Sequence, residues 1–205
     1  MSSPAKRSKP KAGEPVPAKK IVRTLNLPGT LRLDKANVAE RQLSAAATMF
    51  FQSADPVSIH TLSSAALEVI SAVAQHRQVP GDSLHEMLIE RVRPEHQEEL
   101  RSLLREPQNF FKHANRDVEE RLDFHPDAAG WVLFDGIWIY RRVMQDLPVI
   151  LRAFEAWWVL QHPDILRDDT ARSVYQKAAG SFPASNRKAF LVIFSEAWAR
   201  SLFAS

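Results

Sequence analysis

Apolar positions recur at helical spacing along most of the chain. Leu43, Ala46, Ala47, Phe50 and Phe51 fall on one face of a helix predicted from about Asn37 or Val38 to Ser53. Asp55 then supplies an N-cap and Pro56 a first helical position for a second helix, which Ile59, Leu62, Ala66, Val69, Ile70 and Val73 carry to about Gln75. The short Ala54-Asp55 joint predicts that the two are antiparallel neighbours, and the small residues at 45–47 and 63–66 predict their close approach. Gly81-Asp82-Ser83 caps a helix through Leu84, Met87, Leu88 and Ile89, and Arg93-Pro94 precedes a charged helix from Glu95 to Leu104. Pro107 is expected to end that element and restart the chain.

In the second half, Trp131 to Tyr140 admits two readings. Asp135-Gly136 between two apolar runs is a hairpin signal, whereas the pattern's continuation through Val143, Met144 and Leu147 favours a buried helix. On that helix Asp135 needs a cation, and Arg141 and Arg142 are close in sequence. Pro148 opens a helix containing Ile150, Leu151, Phe154, Trp157, Trp158 and Val159 that ends near His162-Pro163. A further helix is predicted from Thr170 to Ala179, behind Asp168-Asp169 and closed by Gly180. Ser185 or Asn186 caps the last one, with Phe190, Ile193, Phe194, Ala197, Trp198 and Phe203 facing inward. The expected fold is an all-α bundle of seven to nine helices over residues 25–205, with a point of subdivision near residue 125. All five Trp residues follow position 130, which places the heavier core in the C-terminal half. The Trp157-Trp158 pair fits either a partner surface or burial by a neighbouring helix.

Charge changes the picture at the N-terminus. Residues 1–24 have no apolar periodicity, contain Pro4, Pro10, Pro15 and Pro17, and set seven Lys and Arg against Glu14. Their net charge of +6, in a chain of +3 overall, leaves the rest at −3. This composition predicts a disordered basic tail that attracts phosphates without reading sequence, ahead of a folded part that is not basic. The absence of cysteine excludes disulfides, thiolate metal sites and a Cys nucleophile. The chain has only six glycines and no phosphate-loop, nucleophile-elbow or dinucleotide motif, which argues against most metabolic enzyme designs. The opening Met-Ser-Ser-Pro-Ala-Lys-Arg lacks an apolar leader core, and no later run is expected to approach the uncharged length that spans a bilayer. A cytoplasmic protein with no membrane contact, metal or cofactor is the expectation.

The richest chemistry lies in Gln108-Asn-Phe-Phe-Lys-His-Ala-Asn-Arg-Asp117. On a helix, Asn109, His113 and Asp117 form a polar stripe opposite Phe110, Phe111, Ala114 and Val118. A neutral His113 could take a proton from a hydroxyl, with Asp117 orienting the ring and Lys112 or Arg116 stabilising an anionic phosphate. The packing alternative makes His113 a capping or hydrogen-bonded residue on a partly buried helix.

Gln108 to His113 resembles the signature of HEPN domains, all-helical bundles that often act as metal-independent ribonucleases or nucleotide-binding modules. In that family an Arg followed by a polar residue, often Asn, precedes a His by four to six positions. Asn109 and His113 match that Asn and His, while Gln108 stands where the Arg belongs and Arg105 is the nearest upstream substitute. The resemblance implies catalytic roles for His113, Asn109 and Arg116, phosphate contacts from Lys112 and Arg105, and a homodimer in which two motif histidines meet.

Two other constellations compete. His113, Asp117, Asp123, His125 and Asp127 offer oxygen and imidazole ligands to a divalent ion, without the spacing of a helical zinc motif. His60 and Glu68 share the second helix two turns apart but lack the Glu-x-x-His pairs of carboxylate-bridged bundles, so His60 is expected at the core edge. The sequence therefore points first to a HEPN-like helical protein engaging RNA or a nucleotide, as a degenerate ribonuclease. The alternative is a non-catalytic module whose Trp-rich half binds a protein partner and whose tail adds nonspecific nucleic-acid affinity.

Overall fold

The computed structural model describes residues 29–80, 83–90, 93–113, 118–163, 173, 176–177 and 186–203. The chain divides into two units, 1–33 and 34–205. In the first, Gly29 takes a left-handed φ of 86°, a conformation that glycine adopts without a side-chain penalty. The predicted tail, residues 1–24, lies outside the described residues.

The second unit is all-α, with seven helices and no strand among the described residues. They are α1 (Lys35–Phe51), α2 (Pro56–His76), α3 (Leu84–Ile89), α4 (Pro94–Lys112), α5 (Asp127–Met144), α6 (Val149–Gln161) and α7 (Arg187–Phe203). Of the predicted helix at 170–179, only Ser173, Gln176 and Lys177 are described, and all three are helical.

Local chemistry explains the boundaries. Asp34 accepts from the Asn37 N–H at 2.7 Å, so α1 starts slightly ahead of the predicted point, and Asp55 caps α2 through the Ser58 N–H at 2.8 Å. Both helices end in paired backbone bonds around a left-handed residue. Ser53 and Ala54 donate to Phe50 and Met49, and Gln78 and Val79 donate to Gln75 and Ala74.

Packing centres on α2, which lies against α1 and α5 along most of its length. Ala39, Leu43, Ala46 and Ala47 of α1 meet Ile59, Ala66 and Ile70 of α2, all buried, and the small residues permit the close approach. Trp131 to Tyr140 is helical throughout, which resolves its two readings. Its glycines are packing sites: a Cβ on Gly130 would stand 2.2 Å from the Trp158 ring, and one on Gly136 2.8 Å from Leu43 Cδ2.

Two expectations are corrected. Pro107 does not end its helix, because α4 runs through it to Lys112, giving up one backbone bond inside an element held by tertiary contacts. The inward stripe of α7 is Arg187, Phe190, Leu191, Phe194 and Trp198, with Ile193 and Ala197 on the exposed side. Helix α2 is long and apolar enough, by length and composition, to cross a membrane. Its one carboxylate, Glu68, interrupts the uncharged run, and here the helix is the central packing element.

Candidate functional site

The Gln108–Asp117 stretch begins on the last turns of α4, where its residues turn toward α2. Gln108 Nε2 donates to Glu68 Oε1, and Lys112 Nζ reaches the same oxygen at 3.2 Å. The Phe111 ring meets His60 edge-on with centroids 5.4 Å apart and Phe124 at 5.3 Å. Gln108, Phe111 and Lys112 therefore fasten α4 to α2. The exposed ion pair contributes little by itself, so the aromatic contact carries most of this attachment.

His113 is not on the helix. It is the C-cap, with φ −120° and ψ 63°, its N–H donating to the Asn109 carbonyl at 3.0 Å and its side chain exposed. The expected Asn109-His113-Asp117 stripe is thus interrupted at His113, where the backbone leaves helical geometry. Arg116 and Asp117 lie outside the described residues. Arg105 and Asn109, four residues apart on the uninterrupted α4, are both exposed.

A different set of polar groups is gathered in the interior. Asp135, in the middle of α5, is 0% exposed, and its Oδ2 meets Nδ1 of His85, which is 22% exposed, and also faces the His85 N–H at 3.4 Å. Of the expected cations, Arg141 pairs instead with Glu155 on α6. His60 is buried in the core rather than at its edge, edge-on to Phe111 and Phe124, with Ser64 Oγ 3.3 Å from its Nδ1. Burial, helped by the nearby His85, pushes its pKa down to about 4. Ser63, also buried, has no hydrogen-bond partner for its Oγ among the described residues.

A carboxylate holding an imidazole is the orienting half of an acid–base pair. Here the pair ties α3 to the middle of α5. A carboxylate on the core face of an apolar helix was the available sequence signal. It demanded a partner without saying which, and His85 lies fifty positions upstream.

The remaining candidates are scattered. His125 Nδ1 and Asp127 Oδ2 approach to 3.8 Å, but no three His, Asp or Glu side chains gather as a metal site among the described residues. Trp157 and Trp158 are both buried, at 6% and 3% exposure, in an aromatic cluster with Phe50 and Phe154. Burial from two sides of α6 removes this pair as a partner surface. Tyr140 donates to Glu40 at 2.6 Å, a second polar tie across the bundle, between α5 and α1. Compared with protein-family models, with curated proteins and with solved structures, the chain matches none of them.

Proposed function

We propose that this chain is a non-catalytic helical interaction module, whose basic N-terminal segment adds nonspecific affinity for nucleic acid. The observation that carries this reading is the use made of the Gln108–His113 residues. Gln108 and Lys112 are engaged by Glu68, Phe111 packs on His60, and His113 stands exposed at a helix end with no carboxylate of a described residue within ion-pair distance. General acid–base work on RNA needs a proton-transfer group and a phosphate cation converging on one point. The HEPN-like ribonuclease reading draws on the same residues and requires that convergence.

The tail supplies the nucleic-acid part of the proposal. Its net +6 lies in residues 1–24, so binding should follow counterion release rather than sequence. The test compares RNA binding by the full chain and by a chain lacking residues 1–24, across a salt series. The expected result is weak, salt-steep binding that disappears with the tail, with no strand cleavage in EDTA. Binding that survives the truncation, or cleavage by the full chain, overturns the proposal.

A further inference from the structure

The α1–α2 turn, the start of α5 and the start of α7 border a cleft of about 130 Å³. Phe50, Ile59, Ala129 and Trp158 supply apolar lining, and the two charged residues on its wall are Arg187 and Asp127, the latter's side chain 67% exposed to solvent.

The surroundings of this guanidinium are unusual for an arginine. It lies 3.9 Å from the centroid of Phe50 and 5.4 Å from that of Trp157, so its faces are covered by aromatic rings. One long bond, 3.4 Å, runs from Nη1 to the Phe50 carbonyl. No carboxylate of a described residue lies within ion-pair distance. Asp127, the acid whose field reaches it, is turned to His125 at 3.8 Å. Burial lowers the guanidinium's pKa and Asp127 opposes this, yet an arginine stays cationic at any working pH. A half-buried cation that no carboxylate of a described residue engages thus stands on the wall of a cleft whose one acid, Asp127, is turned largely to solvent. The indole N–H of Trp158, another lining residue, is also buried without an acceptor among the described residues.

We propose that this cleft binds a small amphipathic carboxylate, with the carboxylate on Arg187 and the apolar body against Phe50, Ile59 and Trp158. Size and charge select this class. The volume suits one ring or a short chain, and a single guanidinium balances a single negative charge through a forked pair of hydrogen bonds. A phosphate would need more donors, and the first N–H groups of α5 are already used. Asp127 donates to His125 Nδ1 at 3.3 Å, and Ala128 and Ala129 donate to the carbonyls of His125 and Pro126. This site is independent of the tail and of the Gln108–His113 stretch.

The test titrates the full chain, ¹⁵N-labelled, with 3-phenylpropanoate, 3-phenylpropan-1-ol and 3-phenylpropylamine. Expected are shifts of the Ala129 and Gly130 amides with the acid, roughly tenfold or more tighter binding of acid than alcohol, and weaker binding still of the amine. Arg187→Met keeps the apolar stem and should bind acid no better than alcohol. Ala54→Met adds bulk to the lining without touching the charge, covers the case in which Arg187→Met fails to fold, and should block the acid. Equal affinity for acid and alcohol, the absence of any shift with the acid, or an acid preference that survives either substitution overturns the site.

Discussion

His85 on α3 and Asp135 in the middle of α5 meet through an imidazole nitrogen and a carboxylate that solvent does not reach. A buried carboxylate is stable only while its partners remain, and removing one costs more than the pair contributes. His85→Ala should therefore destabilise the fold by about 3 kcal/mol in urea unfolding, with Asp135→Asn costing less because it removes the charge itself. The double variant should show a coupling above about 1 kcal/mol between the two positions. An unchanged midpoint for His85→Ala would mean that the contact carries no stability.

Acid should act through His60. Its folded pKa is about 4 against 6.5 for a free imidazole, so between those values the unfolded chain binds the extra proton. Stability is then full above about pH 7 and falls as pH drops through that window, by roughly 2–3 kcal/mol at pH 4.5. His60→Leu fills the space between Phe111 and Phe124 without a titrating group. Its urea midpoint should depend less steeply on pH than the wild type's, and equal slopes would rule out His60 as the source.

The two α5 glycines should differ in their tolerance of a methyl group. At Gly130 the added carbon meets the rigid, buried Trp158 ring, whereas at Gly136 it meets the end of a flexible Leu43 side chain. Gly130→Ala should cost about 2–3 kcal/mol from overpacking. For Gly136→Ala, a gain of up to about 1 kcal/mol in helix propensity offsets most of a smaller clash. Thermal unfolding of the two variants checks the order, and a more stable Gly130→Ala would refute it.

Much of the fold was legible because it follows from local rules. Asp55-Pro56 marks the start of α2, and the apolar period marks the inner faces of α1, α2 and α6. What escaped was what only three-dimensional packing decides. Pro107 signals a break locally, and the contacts of Phe111 and Gln108 with α2 hold the helix through it. Ile193 and Ala197 fit the helical period of α7, yet the neighbours of that helix cover the side carrying Leu191 and Phe194. Nor could spacing show that Asp135 would take His85 rather than Arg141, since the choice depends on where α3 docks. Arg187 carried no motif at all, because its environment is assembled from α1, α6 and α7.

The central claim is that the Gln108–His113 residues hold α4 on α2 and perform no chemistry. Pairing Phe111→Ala with His113→Ala, and measuring both unfolding and RNA cleavage in EDTA, tests it most directly. The account predicts a loss of roughly 2–3 kcal/mol for Phe111→Ala, almost none for His113→Ala, and intact RNA with every protein. Cleavage by the wild type that His113→Ala abolishes, at unchanged stability, would contradict it.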